Sequence, residues 1–290
     1  GTGSVSALDW GWRLMQIPQT LIGTAMGTVI FPTLAALSEL GDENGKRDAM
    51  SGALRFILIT TIPAAIGLVV IGRPLISLLE RGAFDASASA LVFSTLQFFT
   101  LGLITHSMLE VVARSFYADK DTLTPLWAAL GGAAVNLFLS YTLSGVNLVE
   151  SAIMTNSVAL SFPALAMPVQ MGAVGGLALA NSVGVSVEVA VLIFMLRRRW
   201  HGINESAIQR SLMQSILASL IMALVVFIIG SLWAAVLPDG GLLLTVAQLS
   251  IQAGIGALVY VGTAALLGME ELRLLRTLIR RPRLAAGVAA

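Results

Sequence analysis

Long apolar stretches alternate with short polar ones along the whole chain. A helix that crosses a bilayer needs about 20 mostly apolar residues. By that measure the pattern predicts spans at roughly 8–38, 52–79, 87–113, 123–145, 172–196, 211–237 and 244–268. Between them lie SELGDENGKRD, RSFYADKDTLTP, RRRWHGINES and LPDGG, polar or Gly/Pro-rich turns of the kind that end helices. The predicted fold is all-α and polytopic, with about seven transmembrane helices.

One segment breaks the pattern. Residues 146–171 carry no charge except Glu150, and Pro163 and Pro168 oppose a regular span. They are expected to form a loop or a short interfacial helix on the outer face.

Composition agrees with a membrane chain: 57% of the 290 residues are hydrophobic and 11% are charged. A soluble domain carries about 25% charged residues. The placement of charge says more than its net value of +1. All but three of the 17 Lys and Arg residues fall on one face of a seven-span topology. The exceptions are Arg73 and Arg81 on the other face and Arg13 inside the first span. The basic face is therefore expected to be cytoplasmic, with the C-terminus inside and Gly1 outside. No basic n-region precedes the apolar part, so the chain is expected to be a segment of something longer.

Several function classes have no residues to support them. There is no cysteine, and His106 and His201 are the only histidines. No HExxH, GxSxG or Walker-type glycine loop occurs. The last lysine is Lys120, so the final helix cannot carry a retinal Schiff base. An intramembrane enzyme or an ATP-driven pump has nothing here to work with, and no nucleic-acid partner is expected.

The polar residues inside the spans are the candidates. Arg13 costs about 2.5–3.5 kcal/mol at a helix centre, so such a residue usually faces water or a partner. Pro18 leaves the Leu14 carbonyl without its helical donor and can bend the helix there. A guanidinium at a bend can take phosphate oxygens bidentately. It can also snorkel to the outer surface between Trp10 and Trp12 as belt aromatics. Arg13 to Thr33 spans about 30 Å of helix, which puts the arginine in the outer half. His106, Glu110 and Arg114 share one helical face, as a proton or gating relay or as an ion pair at the helix end. Glu188 is the deepest acid; Asn136 and Asn181 are intramembrane amides suited to interhelical bonds or to an ion site. Gly23-x-x-x-Gly27 and Gly172-x-x-x-Gly176 allow close helix approach, and Pro32 and Pro63 predict kinks.

Several of these stretches together resemble one family. GSVSA followed by WRLMQIP, then GTAMGTVIFPTLA, LLERGAFDA, ARSFYADKDTLTP and GAVGGLALANS, is similar in order to the second half of lipid II flippases of the MurJ/MviN type. That family belongs to the multidrug/oligosaccharidyl-lipid/polysaccharide exporter superfamily. The resemblance implies fourteen helices, of which this chain holds those from the eighth onward. Residues 1–198 would be the C-terminal lobe, and 199–290 two further helices forming a lipid-tail groove with a basic cytoplasmic tail. It implies translocation of the undecaprenyl-pyrophosphate-linked peptidoglycan precursor across the bacterial cytoplasmic membrane by alternating access. The implied partners are lipid II, the phospholipid bilayer and an N-terminal lobe of the same chain. No cofactor is implied beyond Na+ or H+ as a coupling ion.

By the resemblance, Arg13 binds the pyrophosphate and Ser6 lies near an external gate. Asn136, with Asn181, falls at a sodium site of some members. Trp12 and Gln16 stand where relatives often carry acids beside the arginine, and Ser140 where some carry an acidic cation ligand. The alternatives are a related polysaccharide-lipid or multidrug exporter, or a non-transporting membrane scaffold.

Overall fold

A computed structural model describes residues 4–79, 86–143, 158–162, 167–171, 173–236, 241–269 and 271. Its elements are α1 (Ser4–Gln19), a π turn (Thr20–Thr24), α2 (Ala25–Glu39), α3 (Glu43–Ser77), α4 (Ala86–Ala118), α5 (Leu123–Leu143), β1 (Val158–Phe162), β2 (Met167–Met171), α6 (Ala173–Arg199), α7 (Glu205–Val236) and α8 (Leu242–Leu266). Among the described residues seven helical segments are long and apolar enough to cross a membrane, with α1, the π turn and α2 forming the first. The chain is a multi-pass membrane protein.

The helices overrun the spans expected from hydropathy at their basic ends. α3 begins at Glu43 rather than near residue 52. Asp42 caps it, accepting from the Gly45 N–H at 2.9 Å, as an N-cap carboxylate does. Hydropathy misses this turn because it is amphipathic, with Lys46 and Met50 both buried. α4 and α7 are extended in the same way. The extra turns carry helices beyond the hydrocarbon into loops that they help to organise.

The first crossing, where Pro18 predicts a bend, changes from α to π winding just after the proline. The i→i−4 ladder lapses at the proline and resumes after the π turn, an interruption of the kind found at functional hinges.

α4 is the central helix, packed against α1, α2, α3 and α6. α5 packs on α6, while α7 packs on α3 and α8. At the basic end Leu34, Met50, Ile57, Phe116, Leu196 and Trp200 fill one core cluster. Two smaller clusters, around Leu96 and around Met15 and Leu103, hold α1 to α4 in the other half. A Cβ on Gly23 would lie 2.8 Å from the Cα of Ser107, so the π turn and α4 approach backbone to backbone. Leu126, Leu137, Leu220 and Leu258 lie exposed on α5, α7 and α8, as suits surfaces that meet lipid tails.

Residues 158–171 depart from the expected loop or interfacial helix. β1 and β2 pair antiparallel, with Val158 opposite Met171 and Phe162 opposite Met167. Two prolines oppose a helix here, while a two-stranded ribbon tolerates Pro168 because both its strands are edges. Residues 146–157, 163–166 and the basic tail from 272 lie outside the described residues, as do Arg81 and Gly172.

Candidate functional site

The residues of α1 sort into two faces. Ala7, Gly11 and Met15 are buried against the bundle. Ser6, Asp9, Arg13, Gln16 and Thr20 are all exposed, spaced so that they run along one side of the helix. The Arg13 side chain is 66% exposed, and its Nε donates to Asp9 Oδ2 at 2.8 Å. The carboxylate beside Arg13 thus comes from Asp9, one turn earlier at i,i+4 spacing, rather than from positions 12 and 16, which hold Trp12 and Gln16. A polar stripe at this depth is costly against hydrocarbon, so it requires water or a polar neighbour.

An apolar groove begins one turn beyond Arg13. It encloses about 530 Å³ between the α1–π segment, α3, α7 and α8. Ile17, Pro18 and Leu21 form one wall; Pro63, Gly67 and Gly256 belong to the others. Its few polar groups are largely satisfied internally. The Tyr260 hydroxyl donates to the Ile59 carbonyl at 2.6 Å, and Gln252 Nε2 donates to the Val226 carbonyl at 3.3 Å. No motif announced this groove, because its lining comes from four helices with ordinary apolar sequences.

The predicted triad on α4 divides. Arg114 donates to Glu110 through Nη2 at 3.2 Å and to the Glu110 carbonyl through Nε at 3.0 Å. This pair, with Phe31 and Tyr117, lines an open cavity of about 400 Å³. His106 instead turns to α6, its Nε2 lying 3.1 Å from Asn181 Oδ1. Trp12 packs edge-to-face on both His106 and Phe99, with centroid distances of 5.2 and 5.4 Å.

The two amides suggested for an ion site have different neighbours. Asn181 bonds His106, while Asn136 Oδ1 accepts from Ser140 Oγ at 3.1 Å. Asn136 lies where α5 crosses α6: a Cβ on Gly184 would fall 2.8 Å from its Cβ, and one on Gly132 would fall 3.0 Å from Glu188 Cβ. Among the described residues no three His, Asp or Glu side chains come together as a metal site.

At the basic end, the RSFYADKDTLTP motif ties three inter-helix connections together. Asp119 accepts from Lys46 Nζ at 3.0 Å and from Ser38 Oγ at 2.6 Å. Asp121 accepts from Arg199 Nη1 at 3.1 Å and caps α5 through the Thr124 N–H, also at 3.1 Å. That backbone bond is the main reason the Asp121 carboxyl is held below its usual pKa, with Arg199 adding to it. Arg47 donates to the Trp200 carbonyl, and Asn204 donates to Asp48 at 2.7 Å.

A first span interrupted by a π turn beside an exposed arginine, a central helix behind it and an apolar groove beside it make this a polytopic helical membrane protein. The family model described as "Lipid II flippase MurJ" matches residues 1–247, and this chain belongs to that family. It is similar to a probable lipid II flippase MurJ of Rhizobium tropici, 30% identical over 283 residues, covering 97% of this chain and 48% of that one. A counterpart in Rhizobium meliloti (strain 1021) is 28% identical over 289 residues, covering 99% and 49%. A solved structure titled "Lipid II flippase MurJ, inward closed conformation" shares the fold, with a TM-score of 0.65 and 24% identity over 91% of this chain and 47% of that one. The chain thus spans about half the length of the curated relatives it matches.

Proposed function

We propose that this chain is the C-terminal half of a bacterial inner-membrane lipid II flippase, working by alternating access with a preceding lobe of the same protein. The observation that carries the reading is the adjacency on one helix of Arg13 and the groove wall at Ile17 and Pro18. An anionic head held at the guanidinium would leave its polyprenyl tail at the mouth of an apolar groove. A ligand with both parts is a lipid-linked pyrophosphate. Arg13 would bind the pyrophosphate, exchanging Asp9 for it, and Ser6 would extend the polar face outward. The excess of basic residues supports a cytoplasmic position for the 38–48, 119–124 and 197–205 end. Alternating access then presents the α1 stripe to either side of the membrane as one lobe rocks against the other.

The test uses the complete gene product with a photoreactive side chain at Leu21, incubated with radiolabelled lipid II in nanodiscs. The reading expects crosslinking at Leu21 that falls about tenfold or more in Arg13→Ala, the loss of a charge-assisted contact to phosphate. Equal crosslinking in both proteins contradicts the assignment of Arg13.

A further inference from the structure

His106 is an ionisable group in the interior of the bundle that the translocation reading leaves without a task. Its surroundings connect it to the part of α1 that carries Arg13. The first span is fastened to α4 on both sides of Pro18. Above the proline, Thr95 Oγ1 donates to the Ala7 carbonyl at 3.0 Å, and Gly11 sits flush on Thr95. Below it, Gly23 meets the Ser107 backbone and Gly27 meets Arg114. Between these fastenings lie Pro18 and the first residues of the π turn, where the helix ladder is already interrupted. Just above this hinge the fully buried Met15 packs with Leu103, and the Trp12 indole sits between Phe99 and His106.

His106 thus has one ring nitrogen on Asn181 of α6 and its ring edge or face on Trp12 of α1. Among the described residues Nδ1 has no hydrogen-bond partner, so it is the nitrogen open to a proton. A charged imidazole with its neighbour's ring centroid at 5.2 Å is within the range of a cation–π contact. The Asn181 oxygen accepts from Nε2–H whether the ring is neutral or charged. The other charged groups around it are paired or face elsewhere. On α1, Asp9 is paired with Arg13; on α4, Glu110 is paired with Arg114. α6 carries Glu188 about two turns from Asn181. On α3, Arg73 lies over Phe93 and Arg55 bonds Glu271.

We propose that His106 is a proton-binding site whose occupancy sets the docking of α1 on α4 through Trp12, and so the presentation of Arg13 to an anionic ligand. The proposal rests on the reading of Arg13 as the headgroup ligand. A proton that favours the docked position of α1 must in turn bind more tightly when the anion holds α1 there. His106 thereby gives the transport cycle a proton-dependent step, since histidine alone changes charge at near-neutral pH without a large perturbation.

The experiment records tryptophan fluorescence of the complete gene product in nanodiscs from pH 5.5 to 8.0, for wild type, His106→Gln, His106→Asn and Trp12→Phe. Thermal unfolding identifies which variants retain the fold. The wild type is expected to show a titration that is absent from the folded His106 variant and from Trp12→Phe. Lipid II translocation measured over the same range should fall by about tenfold per pH unit above the midpoint in wild type, and should be flat in the His106 variant. A wild-type-like fluorescence titration in either His106 variant overturns the proposal. If the wild type itself translocates no lipid II yet the titration still requires His106 and Trp12, the proton site stands and the substrate assignment fails.

Discussion

Replacing Asp119 by alanine is expected to be among the most damaging single changes outside the groove and the α1 stripe. Only 10% of its side chain is exposed, as is 10% of Lys46. The carboxylate accepts from Lys46 at 3.0 Å and from Ser38 at 2.6 Å, and Arg199 lies at 3.8 Å. The alanine variant would leave the Lys46 ammonium buried with only the Trp200 ring, 5.4 Å from its Nζ, for company. Removing one partner of a buried pair costs about 3–5 kcal/mol, most of it the penalty of the stranded charge. The lower end, about 3 kcal/mol, suits a site at the membrane–water boundary. Reversible unfolding in mixed micelles would read this loss. The double variant Lys46→Met with Asp119→Leu should recover most of it, because no charge is then left unpaired. A loss below about 1 kcal/mol, or a double variant no better than the sum of the singles, would refute the reasoning.

The same end and the same helices give further expectations. Asp121→Ala should cost about 1 kcal/mol at neutral pH by removing the α5 cap. The Asp121 carboxyl titrates below its unfolded value, so its contribution is present above the ordinary carboxylate range and lost as pH falls through the folded pKa. Wild type and Asp121→Ala should converge in melting temperature as pH drops below about 4. Gly23→Ala should destabilise by about 1–3 kcal/mol in the same micelle assay, since its Cβ would press on Ser107 backbone rather than on a movable side chain. Gly67→Phe behaves oppositely: Gly67 borders the groove with nothing within 4 Å of its Cβ position. That variant should fold with normal stability and lose translocation because the tail's space is filled.

Hydropathy made the seven crossings legible, because burial in lipid demands long apolar runs whatever the packing. The interruption of the first span was legible too, since Pro18 removes a donor in any context. The partners of the candidate residues were not. Arg13 and Asp9 are a turn apart, and the pair was within reach of spacing rules. Lys46 and Asp119, by contrast, are separated by two whole helices, and only the fold brings them together. The RSFYADKDTLTP motif was recognised as a family mark, yet its work in clamping three connections appeared only in three dimensions. His106 was grouped with Glu110 and Arg114 because they share a helical face. Its contact with Asn181 depends on which neighbour α4 meets at that height. The apolar groove gave no signal, because lipid-facing and groove-facing leucines read alike in a sequence.

The most direct test of the account is lipid II exposed on the outer leaflet of cells depleted of their own flippase. It compares the wild-type complete gene product with Arg13→Ala at matched protein levels. The account predicts that wild type restores exposure and the alanine variant does not. Restoration by both would make Arg13 an interfacial anchor, and restoration by neither would contradict the assignment of lipid II as the cargo.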